Sequence, residues 1–108
     1  AKYQDIAMSS PKIAFAVLGK KIVMTKNAFK STTEIKTDFD AQTVETIDSG
    51  LYASSGKTLY HTSDLGKKWF AVSTFKDQIS VVTASSKSIV VVAGPSILIS
   101  TDSGKTFK

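Results

Sequence analysis

Ile97-Leu98-Ile99-Ser100-Thr101-Asp102-Ser103-Gly104-Lys105-Thr106-Phe107 decides how this chain is read. An apolar run leads into a polar turn, and the turn ends on an aromatic ring. Each turn residue has a physical task. A carboxylate such as Asp102 accepts hydrogen bonds from nearby backbone N–H groups and closes the loop. Gly104 permits a positive φ. Phe107 returns to the sheet and packs as an anchor. The pattern recurs earlier as Leu59-Tyr60-His61-Thr62-Ser63-Asp64-Leu65-Gly66-Lys67-Lys68-Trp69, with lysine where Thr106 stands. A degenerate copy precedes it. There Ile22-Val23-Met24-Thr25 runs into Lys26-Asn27-Ala28-Phe29-Lys30-Ser31-Thr32, with Asn27 for the aspartate, Phe29 for the glycine and Thr32 for the aromatic.

Moving upstream extends the match. Ala14-Phe15-Ala16-Val17-Leu18-Gly19, Leu51-Tyr52-Ala53-Ser54-Ser55-Gly56 and Ile89-Val90-Val91-Val92-Ala93-Gly94 align, with their glycines 37 and 38 residues apart. Thr25, Thr62 and Ser100 keep the same spacing. A constant period of this size marks an array of supersecondary units. Each unit reads as four strands. The first strands are expected around Ile6–Ser9, Thr43–Ile47 and Ile79–Ala84. The second strands end at the repeated glycines. The third are expected at Lys21–Thr25, Thr58–Thr62 and Ser96–Ser100, and the fourth at Thr33–Thr37 and Phe70–Thr74. The runs are β-branched or aromatic, several are apolar on both faces, and no window shows a helical period.

The turns resemble the Asp-box (BNR-type) repeat of β-propellers, S-x-D-x-G-x-T-W/F. The resemblance covers nearly the whole chain and concerns the fold. It implies an all-β protein of three four-stranded antiparallel blades, with repeats at about 5–37, 41–76 and 78–108. It also implies structural roles, away from the binding face, for Asn27, for Thr62, Asp64, Gly66 and Trp69, and for Ser100, Asp102, Gly104, Thr106 and Phe107. Asp64 and Asp102 are therefore expected to shape turns rather than act as catalytic acids. Sialidases also carry such boxes, but they grip a carboxylate with three arginines, and this chain has none. Sortilin-type receptors, photosystem assembly factors and some glucanases share the motif, so the fold alone assigns no function.

A propeller usually closes with about four to eight blades, and three are too few. The third repeat stops at Phe107-Lys108, ahead of a fourth strand. Residues 1–4 sit where such a strand belongs, as Ala71–Lys76 stands before Asp77 and Thr33–Asp38 before Asp40. Lys2, Tyr3 and Gln4 are accordingly expected to close the third blade of a partner chain. This would avoid an exposed apolar edge. Head-to-tail contact generates a ring, and two copies give a six-bladed homodimer. The other reading is a segment of a longer propeller, or a truncated or designed form.

Composition narrows the chemistry. With 108 residues and 42% hydrophobic content, the chain suits one small packed domain. It has no cysteine, so disulfides and thiolate metal sites are excluded. A lone His61 is too few for a histidine metal site and aligns with strand positions Met24 and Ile99. It reads as a packed or edge residue rather than a general base. No cofactor is expected. No apolar run approaches a membrane span, and no signal segment opens the sequence. The net charge is +5, and all 14 basic residues are lysine. These are spread along the chain, and arginine base readout is absent, so nucleic acid is not the expected partner. Gly56-Lys57-Thr58 and Gly104-Lys105-Thr106 mimic the tail of a phosphate loop, but Leu51 and Ile99 stand where its first glycine is required. The compartment stays open, tilting toward an extracellular or virion surface.

Three functional readings follow. The first is a non-enzymatic scaffold or binding module for protein or glycan partners. Its candidate ligand face comprises the loops ahead of the first strands, with Asp5, Asp38, Phe39, Asp40, Phe75, Lys76 and Asp77. The hairpins between second and third strands add Lys20, Lys21 and Lys57. Phe39 and Phe75 are either exposed contact residues or core. Asp5, Asp40 and Asp77 recur near the repeat spacing, so they could ring one mouth of the axial channel and hold a cation; the plainer alternative is that each caps its loop. The second reading is a carbohydrate-active enzyme, which needs a carboxylate pair in one cleft. The third is a structural component of a surface or virion assembly.

Overall fold

A computed structural model describes residues 3–8, 13–18, 20–27, 30–37, 39–47, 50–64, 66–85 and 87–108, with backbone only at residues 3, 4 and 47. Among the described residues eleven strands form two four-stranded sheets and one three-stranded sheet, all antiparallel. The first sheet holds β1 (Tyr3–Met8), β2 (Ala14–Leu18), β3 (Lys21–Thr25) and β4 (Thr33–Ile35) in sequential order. The second holds β5 (Thr43–Ile47), β6 (Gly50–Ser55), β7 (Thr58–Thr62) and β8 (Phe70–Thr74). The third holds β9 (Ile79–Ser85), β10 (Ser88–Ala93) and β11 (Ser96–Ser100). Beyond the last turn, Lys108 pairs with Ile99 in both directions, at 3.1 and 3.0 Å. No described helix is long and apolar enough to cross a membrane.

The sheets stack face to face, which explains why their strands are apolar on both sides. Between the first and second lie Phe15, Val17, Ile22, Val44, Leu51 and Ala53. Between the second and third lie Tyr52, Leu59, Val82, Ile89 and Val91. Full burial of Ile22, Leu51, Leu59 and Ile89 stabilises by about 2 kcal/mol each. Thr43 and Ser54 are also buried, and their hydroxyls satisfy each other at 2.7 Å.

First strands of successive sheets lie side by side, β1 against β5 and β5 against β9. Carboxylates cross between them. Asp5 Oδ2 accepts the Val44 N–H at 3.0 Å, and Glu45 Oε2 accepts the Ala84 N–H at 3.3 Å. Thr46 adds a hydroxyl bond to the Met8 carbonyl. The outward faces of the end sheets are apolar. Ile6 and Met8 are exposed on the first, Val81, Ile97 and Ile99 on the third. Each alternates with neighbours that point into the stack, as the strand period of two requires.

Two expectations need correction. The first strand begins at Tyr3 rather than Ile6, so Asp5 lies within β1 and not in a loop ahead of it. Tyr3 pairs with Leu18 of its own chain, with a register shift before Asp5. Tyr3 therefore sits in an intramolecular ladder, with Gln4 at the register shift beside it, where the expectation had both crossing to a partner. Lys2 lies outside the described residues.

Candidate functional site

The turns after the third strands are built by one hydrogen-bond scheme. The Thr62 hydroxyl donates to Asp64 Oδ1 at 2.8 Å and accepts the Gly66 N–H at 3.0 Å. Asp64 Oδ1 also accepts the Lys68 N–H at 2.9 Å. Ser100, Asp102, Gly104 and Thr106 repeat this at 2.8, 2.8 and 2.9 Å. Thr106 adds a hydroxyl bond to Asp102 Oδ2 at 2.6 Å. In the degenerate copy, Thr25 donates to Asn27 Oδ1 at 2.9 Å, and that oxygen accepts the Ser31 N–H at 3.0 Å. An amide oxygen accepts as a carboxylate does, so Asn27 keeps the turn. Ala28, Phe29 and Leu65 lie outside the described residues.

These bonds hold the charged form of the acids. The Thr106 hydroxyl first, then its N–H and the Ser100 hydroxyl, pull Asp102 down to about 2. Asp64 is lowered, chiefly by the Thr62 hydroxyl and the Lys68 N–H. Both carboxylates are thus engaged in the turn. The hydroxyls of Thr62 and Ser100 carry more than the sequence suggested: each bridges the acid to the glycine N–H four residues on. Gly66 and Gly104 sit at φ 86° and 89°. The turns of the second and third sheets each dock on the sheet before. The Trp69 indole N–H donates to the Lys36 carbonyl at 2.8 Å.

The linkers ahead of the first strands and the hairpins after the second strands converge at one end. Ala41 N–H donates to the Lys20 carbonyl at 2.9 Å, Phe75 N–H to Lys57 at 2.9 Å, and Ile79 N–H to Gly56 at 2.8 Å. Lys20 and Lys57 are therefore brought beside Asp40 and Phe75. Lys20 Nζ lies 3.9 Å from Asp40, and Lys21 lies 3.6 Å from Glu34, all exposed. Such pairs add little stability. Lys76 and Asp77 are exposed, with Asp77 packed against Gly94. Asp38 lies outside the described residues.

The three acids of the proposed cation ring are not gathered. Asp5 is engaged with Val44 and Ile6 N–H groups, and Asp40 with Lys20. Among the described residues no group of three His, Asp or Glu side chains is placed to hold a metal. His61 lies against Tyr52, ring centroids 4.8 Å apart, and burial lowers its pKa.

Phe39 and Phe75 are half-buried and pack against the two cores. Phe39 lies flat on Tyr60, with centroids 4.1 Å and planes 5° apart, and meets Trp69 edge-on at 5.2 Å. Phe75 meets Phe107 edge-on at 5.1 Å. Beside it opens a cavity of about 440 Å³, lined by Ser73, Phe75, Lys76, Asp77, Leu98 and Phe107 among others. A smaller one of about 250 Å³ lies between Trp69 and the lysines Lys36, Lys67 and Lys68. The repeat alignment held the signal for the larger cavity, because Leu98 stands where Tyr60 does.

Stacked antiparallel sheets with neighbouring first strands define the β-propeller class of fold. Solved structures of that class match the chain. YCF48, in a structure bound to a D1 peptide, superimposes with a TM-score of 0.83 at 15% identity over 100% of this chain. The GH74 enzyme of Niastella koreensis gives 0.76 at 12% identity over 98%, and the N-terminal domain of Nup159 gives 0.69 at 18% over 100%. The chain spans 40%, 17% and 33% of these proteins respectively. Likeness at this level of identity shows the fold. No protein-family model matches the sequence, and no curated protein does.

Proposed function

We propose that this chain is a non-enzymatic propeller module that binds a protein or glycan partner and completes its ring with a second copy of itself. In this reading its turns are Asp-boxes and its three sheets are half of a six-bladed homodimer. The observation that carries the binding role is the convergence of linkers and hairpins at one end, joined by the Phe75, Ile79 and Ala41 backbone bonds. Lysines, acids and half-buried aromatic rings meet there. YCF48 in its peptide-bound structure has the same fold, which supports a peptide as one partner class. The non-enzymatic reading draws support from the acids. Asp64 and Asp102 are bound into turns, Asp5 and Glu45 into links between sheets, and Asp40 and Glu34 pair with lysines.

Ring closure is supported by the apolar end faces. The exposed side chains Ile97 and Ile99 hold the positions that Leu59 and His61 hold toward the third sheet. Ile6 and Met8 hold those that Val44 and Thr46 hold toward the first. One end face thus matches the other as neighbouring sheets already match. A strand-swapping role for Lys2, Tyr3 and Gln4 would require Tyr3 to leave Leu18, so closure through the faces is the form proposed.

Light scattering after size exclusion tests the assembly. A mass near twice 11.6 kDa is expected, reduced to one copy by Ile97→Lys with Ile99→Lys. A folded monomer at working concentration overturns the homodimer. A glycan-hydrolysis screen tests the chemistry, and reproducible turnover overturns the non-enzymatic reading.

A further inference from the structure

The two interfaces between sheets share two equivalent positions, Tyr60 with Leu98 and Trp69 with Phe107, and are filled differently, while Phe39 and Phe75 enter from different points of their linkers. At the first, Phe39 is sandwiched by aromatic neighbours, flat on Tyr60 and edge-on to Trp69. At the second, Phe75 stands to Phe107 as Phe39 stands to Trp69, at 85° and 5.1 Å against 84° and 5.2 Å. Leu98 takes the place of Tyr60. The register is the same, since Tyr60 pairs with Ala53 and Leu98 with Val91, the matching residues of the second strands. Among the described residues Phe75 therefore meets the ring of Phe107, and no ring stands at Leu98, where Tyr60 stands at the first interface. The 440 Å³ cavity is lined by Phe75, Leu98 and Phe107. The residue across from Tyr60 in β8 is Ala71, whose side chain is a single methyl, so the ring on Phe39 comes from β7 rather than β8.

We propose that this cavity is a slot for an aromatic side chain of a peptide partner, which lies on Phe75 as Tyr60 lies on Phe39. The proposal rests on the binding-module reading and gives that partner a chemistry. Its volume falls within the range of about 300–1,000 Å³ usual for ligand pockets. Phe75, Leu98 and Phe107 form an apolar interior, and Ser73, Lys76 and Asp77 form a rim with donors, acceptors and both signs of charge. Stacking alone raises affinity only about threefold to tenfold, too little to hold a free ring. A peptide adds main-chain hydrogen bonds to the rim. A sugar fits less well, because hydroxyls pressed against Leu98 would lose their partners.

The probe is a blocked pentapeptide of glycine and serine with tyrosine at its centre, added to the isotope-labelled full chain and followed by NMR. Saturable shifts are expected at the Leu98 methyls and the Phe75 and Phe107 rings. The same peptide with central alanine should cause none, and cellotriose none. Leu98→Tyr supplies the missing ring from within, so peptide binding should weaken about tenfold or more while the melting temperature rises. Phe75→Leu keeps an apolar side chain and removes the stacking face, so it should lose binding too, and it decides the matter if Leu98→Tyr fails to fold. Equal shifts with the alanine peptide, unchanged binding by both variants, or no saturable shift at these three residues overturns the slot. Cellotriose binding in place of the peptide overturns it as well. Shifts confined to Lys20, Lys57 and their neighbours would overturn the slot and leave the binding module standing.

Discussion

Gly104 stands so close to Val72 that a Cβ on the glycine would lie 2.7 Å from Val72 Cγ1. The turn of one sheet is pressed onto the last strand of the sheet before it. Gly104→Ala must therefore pay twice, in an unfavourable φ of 89° and in displacing Val72. Gly56 has a φ of 59°, but a Cβ there meets nothing within 4 Å. Urea unfolding should show Gly56→Ala costing about 1 kcal/mol and Gly104→Ala about 2–4 kcal/mol. Equal costs would mean that the turn does not dock on Val72.

The pH dependence should follow the acids of the turns. Asp102 titrates at about 2 in the folded chain against 3.8 for an ordinary aspartate. A depressed carboxyl contributes stability that is complete above the unfolded value and is lost as the pH falls from near 3.8 through about 2. Asp64 acts in the same direction. Unfolding midpoints measured across this window should fall, and less so in Asp102→Asn, whose side chain does not titrate. Direct NMR titration of the Asp102 carboxyl gives the second readout, and a midpoint at the ordinary value would contradict the hydrogen bonds assigned to it.

Tyr60→Leu should reproduce at the first interface what Leu98 makes at the second. The stacked ring on Phe39 is lost and a cavity opens, which costs about 2 kcal/mol. Chemical denaturation reads this directly. A change within about 0.5 kcal/mol would show that the stack is not a packing contact.

Asp5→Ala removes the acceptor of the Val44 N–H, and Glu45→Ala that of Ala84. Each should cost about 1 kcal/mol, with Asp5 the larger because its bond is shorter. Amide exchange supplies a local readout. Val44 should lose protection in Asp5→Ala and Ala84 should not.

Much of the fold was legible in the residues. Lys21–Thr25, Thr43–Ile47, Thr58–Thr62, Phe70–Thr74 and Ser96–Ser100 are strands over the spans expected. These runs are apolar or β-branched and end at turn chemistry, so local pattern and tertiary position agree. β1 was misplaced because Tyr3-Gln4-Asp5 has no apolar alternation, and an acid before Ile6 reads as a loop. The bond that satisfies Asp5 comes from Val44, in the next repeat, and no local window contains it. Phe39 and Phe75 read equally as surface or core for the same reason. Their neighbours Tyr60, Trp69 and Phe107 belong to the following sheet. Of the candidate-face residues, Lys20, Lys57, Asp40 and Phe75 lie at one end, and Asp5 lies within β1, bonded to Val44.

The links between first strands have a consequence for how such a chain changes over time. In each carboxylate link a side chain supplies the acceptor and the neighbouring sheet supplies only a main-chain amide. Any residue except proline offers that amide. The receiving strand can therefore drift in sequence, or be replaced by a copied unit, without losing its attachment. Growth of the array by duplication needs one acid retained per junction, not a matched pair of residues that must mutate together.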